Sequence, residues 1–223
     1  MLDQLRHINL RRAVLRSAID VTGHFDHWKE TCVPSYCHKN FAAAYVSWLR
    51  LFKVAEIAKQ CVPNYRKVVD FGSSVGELGH LLSDDATYHF IEQDEAAAGF
   101  LMDQHPDAVR ETLDGAPKGQ FDIVFAIDSL EHNENFKELL VRLFALLTPG
   151  GVLILSGPTE NSLYKFGRKL AGFSGDYHVT TIFEIEGAAG ASSNCVARTT
   201  VPFGAPLFMV SAWQKAGGAT STN

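Results

Sequence analysis

Three short groups of residues in this chain have types and spacings suited to chemistry: Gly72-Ser73-Ser74-Val75-Gly76 behind Asp70, Glu92-Gln93-Asp94, and Ile127-Asp128-Ser129-Leu130-Glu131-His132. Gly72 and Gly76 let the backbone pass close to a bound molecule because no Cβ stands in the way, and Ser73 and Ser74 keep that space open. A carboxylate such as Glu92 accepts well from the paired hydroxyls of a ribose. An imidazole such as His132 titrates near neutrality and can take a proton from an oxygen or nitrogen. Together they suggest a nucleoside cradle with a candidate base beside it.

The spacing separates three chemistries. A dinucleotide fingerprint requires a third glycine where this chain has Glu77, which disfavours nicotinamide binding. Gly72 to Gly76 also matches the G-x-S-x-G elbow of α/β-hydrolases, with Ser74 as nucleophile. The stretch before Val68, however, reads as mainly helical and contains no His-Gly-Gly run for an oxyanion loop. The third reading is a G-x-G-x-G loop for S-adenosylmethionine with Ser74 in place of the central glycine. A second apolar run, Tyr88 to Ile91, ends in Glu92, the expected ribose ligand; its alternative is an acid placed by the dipole of the next helix.

On these residues the chain resembles the class I S-adenosylmethionine-dependent methyltransferases, in particular the small-molecule branch with the ubiquinone-biosynthesis type O-methyltransferases. The resemblance covers about residues 66 to 160: the Asp70 to Gly79 loop, the Glu92 strand end, Phe121 to His132, and Leu147 to Ser156. It implies a Rossmann-like α/β fold, a seven-stranded mostly parallel sheet with an antiparallel last strand and helices on both faces. It also implies that ligands sit at the carboxyl ends of the strands. S-adenosylmethionine is the implied cofactor, and Asp70, Gly72, Ser73, Ser74, Gly76, Glu92, Gln93, Ile127 and Asp128 are the implied cofactor residues. Asp114 is a candidate adenine contact, with a turn role before Gly115 as the alternative.

The elements that must position these groups follow from periodicity. Strands are expected near 67–71, 87–91, 121–126 and 151–156, with helices near 76–84, 95–104 and 134–147. Alternation of strand and helix implies parallel pairing. No strand is placed between Asp107 and Gln120. Val196 to Val201 and Leu207 to Trp213 are expected as the terminal antiparallel strands, and Thr181 to Glu184 has capping-box spacing. Before the sheet, residues 1–65 form a helical extension: a basic amphipathic helix over 1–20, an irregular segment from His24 to Lys39, and a helix capped by Asn40. Residues 66–216 are expected as the catalytic domain, with a helix over Tyr164 to Leu170 and a glycine-containing lid over Ala171 to His178. Residues 217–223 are small and polar, a flexible tail.

The 223 residues suffice for one substantial core, and a net charge of -5 offers no basic field for a phosphate backbone, so nucleic acid is not an expected partner. No apolar run spans a membrane and the first residues lack a signal-peptide core, which points to the cytoplasm. A peripheral membrane contact through the first helix is the alternative to simple packing, attractive for a lipid-linked acceptor. His24, His27, Cys32, Cys37 and His38 crowd one segment, but no C-x-x-C or H-x3-H pair makes a metal site of them.

For the base, His132 stands first, with helix capping as its structural alternative; His178 and Tyr177 in the lid and Tyr36 and His38 in the extension follow. The acceptor is expected to be a sugar, phenol or lipid-linked small molecule methylated on oxygen or nitrogen. A non-catalytic S-adenosylmethionine-binding module is the second reading, and a Ser74 hydrolase the third.

Overall fold

A computed structural model describes residues 2–18, 33–162, 164, 179–202 and 204–215. The segments carrying His24, His27 and Cys32, the expected helix and lid from 165 to 178 with Tyr177 and His178, and the tail from 217 lie outside the described residues.

Seven strands form one sheet: β1 (Lys67–Phe71), β2 (Thr87–Ile91), β3 (Val109–Arg110), β4 (Phe121–Ile127), β5 (Leu147–Pro158), β6 (Ser193–Val201) and β7 (Phe208–Lys215), in the order β3-β2-β1-β4-β5-β7-β6. The first five pair in parallel, whereas β7 runs antiparallel to both β5 and β6. Strand residues alternate between two cores because successive side chains point to opposite faces. Val68, Ile123, Phe125 and Ile154 face α1 (Leu2–Ala18), α3 (Phe41–Cys61) and α4 (Glu95–Gln104), while Val69, Val124, Leu153 and Leu155 face α5 (Phe136–Leu146) and α6 (Ile182–Gly190). A near-continuous apolar run such as β4 is what a strand covered on both faces requires.

The helix starts carry the expected caps. Asn40 accepts from the Ala42 amide, and Thr181 and Glu184 close a reciprocal capping box at α6. Other expectations needed correction. Residues 76–84 do not form a helix but a turn and one 3-10 turn (Gly79–Leu81), because Gly76 takes φ +79 and Gly79 lies so close to Tyr88 and His105 that a Cβ would sit 2.9 Å from each. The stretch left without a strand contains the two-residue β3 on the sheet edge, too short and too exposed to leave a periodic signal. The segment before Lys39 includes the short helix α2 (Val33–Tyr36).

The first helix is amphipathic in a different sense from that expected. Ile8 and Leu15 are buried together with Arg11 and Arg12, while Leu2 and Leu10 are exposed. Arg11 and Arg12 point inward because they find acceptors there, which removes them from any basic membrane-facing surface, while Arg6 and Arg16 stay exposed. No helix among the described residues is long and apolar enough to cross a membrane.

Candidate active site

The sheet order reverses between β1 and β4, and the crevice at the carboxyl ends of such strands is where this architecture receives ligands. Three chain segments meet there. After β1 the loop turns through positive φ at Gly72 (+72), Ser74 (+50) and Gly76 (+79). Left-handed backbone at a serine costs on the order of 1–3 kcal/mol and persists only where neighbours hold it. Glu92, just past β2, does this: its Oε2 accepts from the Ser74 amide at 2.7 Å and its Oε1 from the Asp94 amide at 2.8 Å. Each oxygen keeps a second lone pair, the acceptor pattern that two ribose hydroxyls need. From the other side comes the loop after β4, so close that a Cβ on Gly72 would lie 2.5 Å from Ser129 Cβ. Gly72 is therefore demanded by protein packing as well as by its dihedral.

Around this cradle the hydroxyls of Ser73, Ser74 and Ser129 are buried and have no hydrogen-bond partner among the described residues. Buried polar atoms are ordinarily satisfied, so three orphaned hydroxyls converging on one turn fit a polar ligand. Ser74 shows no hydrolase geometry: no histidine among the described residues bonds its Oγ, and a nucleophile elbow needs that base. Asp70 sits beneath the loop, fully buried, with its Oδ2 accepting from the Tyr88 hydroxyl at 2.9 Å. Burial pushes its carboxyl up to about 7, partly opposed by the Tyr88 hydrogen bond.

A second cluster closes the crevice on the β4 and β5 side. Asp128 ends β4 at φ +49, and its carboxylate receives the Arg50 guanidinium from the middle of α3. Arg50 is 2% exposed, its Nη2 lies 3.3 Å from the Tyr36 hydroxyl, and its guanidinium carbon stands 4.6 Å from the centroid of the Phe208 ring. The Tyr164 ring meets Phe208 edge-on at 5.6 Å. Glu131 is buried in the 3-10 turn Leu130–His132, and desolvation raises its carboxyl to about 7 against the pull of its own amide and of Arg50, with Glu160 raising it further.

The expected residues are thus placed unequally. Gly72, Ser73, Ser74, Gly76, Glu92 and Asp128 converge, and Ile127 is buried at the end of β4. Tyr36 reaches the same crevice through Arg50. Gln93 is exposed, His132 is exposed beside the buried Glu131, and Asp114 is exposed and ion-paired with Arg142 of α5. Cys37 is a buried thiol that desolvation pushes up to about 11, and His38 lies beyond α2, its backbone carbonyl held by Arg12. Sequence reasoning missed Arg50, and it named Glu131 only as the neighbour of His132, without a role of its own. The only trace of Arg50 was its spacing, since it continues the buried row Ser47, Val54 and Ile57 on α3.

A seven-stranded sheet of this order, with a glycine-bearing turn after β1 and an acid after β2, defines a class I S-adenosylmethionine-dependent methyltransferase domain. A family model described as "Methyltransferase domain" matches residues 43–183, and the chain belongs to that family. Trans-aconitate 2-methyltransferase from Variovorax paradoxus (strain S110) is 31% identical over 109 residues, which is 46% of this chain and 42% of that protein, so the match spans less than half of the relative's length. Solved structures share the fold at low identity. The PH0226 protein from Pyrococcus horikoshii OT3 superposes with a TM-score of 0.67 at 13% identity, over 86% of this chain and 99% of that one. Magnesium protoporphyrin IX methyltransferase (ChlM) from Synechocystis PCC 6803, with bound S-adenosylhomocysteine, gives 0.66 at 17% identity, over 88% and 97%. The N-methyltransferase NodS from Bradyrhizobium japonicum WM9, also with S-adenosylhomocysteine, gives 0.63 at 12%, over 77% and 88%.

Proposed function

We propose that this protein transfers the methyl group of S-adenosylmethionine to an oxygen or nitrogen atom of a small molecule. The observation that carries the reading is the Glu92 carboxylate holding the Ser74 amide, since it puts a ribose acceptor and a nucleoside turn in contact. When bound, the sulfonium supplies an electrophilic methyl carbon for in-line displacement. The protein's part is to bind, orient and manage a proton. Glu92 takes the ribose hydroxyls, Gly72 to Gly76 pass the backbone beside the adenosyl group, and Gln93 and Asp114 border the base. Ile127 and Asp128 line the reacting end, while Asp70 orients the loop from below or receives the amino group of the methionine part.

Holding acceptor and donor in line is worth about 7–11 kcal/mol, so the walls of the crevice matter as much as any base. Tyr36 belongs to that wall through Arg50, and the exposed His132 together with His178 are the further candidates for the acceptor's proton. In this reading residues 66–216 are the catalytic domain and 1–65 a cap over it. The cysteines among the described residues, Cys37, Cys61 and Cys195, are free thiols, which suits a cytoplasmic site of action. Sugars, phenols and lipid-linked intermediates are the acceptor classes to try, with a carboxylic acid added by the trans-aconitate relative.

The test is calorimetry of the full chain with S-adenosylmethionine and S-adenosylhomocysteine, followed by incubation with methyl-labelled donor and fractionated small-molecule pools. Binding with transfer to an acceptor is the expected result. Binding without transfer to any pool supports the non-catalytic module instead, and no binding removes both.

A further inference from the structure

The residue after the glycine turn, Glu77, is 2% exposed, yet the sequence gives a buried acid there no local partner. Its partner comes from the first helix. Arg11 approaches with a two-point fork, Nε to Oε2 at 2.9 Å and Nη2 to Oε1 at 2.7 Å, and its remaining nitrogen donates to Gln104 Oε1 at 3.1 Å. One guanidinium therefore ties α1, the cofactor turn and the end of α4 together. Next to it, His105 Nε2 lies 3.0 Å from the Gly76 carbonyl oxygen, so the turn is gripped at Gly76 and Glu77 on this side and at Ser74 by Glu92 on the other. A turn with left-handed backbone at Gly72, Ser74 and Gly76 needs such external restraint to stay in one shape. Arg11 suits the task because a planar fork fixes both carboxylate oxygens at once, which an ammonium cannot.

We infer that Arg11 is a positioning residue for the cofactor: through Glu77 it holds the Gly72 to Gly76 turn in its binding shape, which makes α1 a working part of the site. The inference rests on the proposed binding of S-adenosylmethionine. Its test compares the full chain with Arg11→Lys, Arg12→Met and the double variant Arg11→Met/Glu77→Gln, which removes both charges so that neither is left buried and unpaired. S-adenosylhomocysteine affinity is read by calorimetry, melting temperature by scanning, and amide exchange over residues 72–77 by mass spectrometry. The double variant is expected to stay folded, to lose about tenfold or more in affinity, the effect of one weakened hydrogen bond to a charged group, and to exchange faster at 72–77. Arg11→Lys should recover part of the loss. Arg12→Met, which loses its contact to the His38 carbonyl (2.6 Å), should melt earlier but bind normally. A folded double variant with wild-type affinity overturns the inference. If the wild-type chain itself binds no S-adenosylhomocysteine, the reading of the site fails, and unchanged exchange at 72–77 in the double variant then overturns the latch as well.

Discussion

The guanidinium of Arg50, in the middle of α3, bonds the carboxylate of Asp128, which ends β4 at φ +49. The pair joins α3 to the end of β4, and it is nearly dry: the Arg50 side chain is 2% exposed and that of Asp128 12%. Removing one member of a buried pair leaves a charge that the surroundings were not built to solvate, at roughly 3–5 kcal/mol. Arg50→Met is therefore expected to lower the melting temperature sharply, and Arg50→Met/Asp128→Asn to recover most of it. Equal destabilisation in the single and double variants, measured by chemical denaturation, would show that the pair is not what Arg50 contributes.

Glu92→Ala removes an acceptor from two backbone amides at once. A hydrogen bond from a ligand hydroxyl to a charged group is worth about 1.5–3 kcal/mol, so in the proposed reading the loss of one ribose contact should lower S-adenosylhomocysteine affinity by one to two orders of magnitude. The fold should survive, because Glu92 is only half-buried. Calorimetry together with circular dichroism separates the two effects.

Gly72→Ala meets two penalties, a positive φ and a Cβ placed 2.5 Å from Ser129 Cβ. The dihedral alone costs about 1–3 kcal/mol. Adding Ser129→Gly deletes the clashing atom and leaves the dihedral. The double variant is expected to be more stable than Gly72→Ala and less stable than Ser129→Gly, an ordering that equilibrium unfolding can reject.

Asp70, which is buried, and His80, which is half-buried, give opposite pH dependences. Asp70, raised to about 7 chiefly by burial, holds its proton longer in the folded state than in the unfolded one. Its contribution is present below its ordinary carboxylate range and is lost as pH rises through 7. Asp70→Asn keeps an acceptor for the Tyr88 hydroxyl. The melting temperature of Asp70→Asn relative to wild type should therefore rise from pH 4 to pH 8. A difference that stays flat over that range would mean that Asp70 is ionised in the fold throughout.

His80 behaves in the reverse sense. Desolvation first, then His105, Arg11 and His7, lower it to about 3, and its ring lies 4.0 Å from that of His105. A histidine kept neutral in the fold makes the protein lose stability as pH falls from its unfolded value near 6.5 towards 3. His80→Gln should flatten the acid side of the melting curve between pH 6.5 and 4. An unchanged acid slope would assign that loss to other groups.

The residue pattern was enough for most of the local structure that depends on neighbours in sequence, but not for 76–84, where the backbone at Gly76 and the contacts of Gly79 with Tyr88 and His105 replace the expected helix with turns. Val68-Val69 and Phe121 to Ile127, the latter apolar throughout except at Asp122, read as covered strands, and Asn40 and Thr181 announce their helices by caps that reach only two or three residues. The glycine turn after β1 and the acid just past β2 were legible for the same reason, because type and order alone place them at neighbouring strand ends. Arg11 with Glu77 and Arg50 with Asp128 were not, and neither was the inward face of α1. Each joins residues far apart in the chain, and a charged side chain inside an apolar stripe has no periodic signature that names its partner. Only folding decided those pairs: burying a charge is tolerable when another segment delivers the opposite one, and which segment does so is set by the packing of α1 and α3 on the sheet.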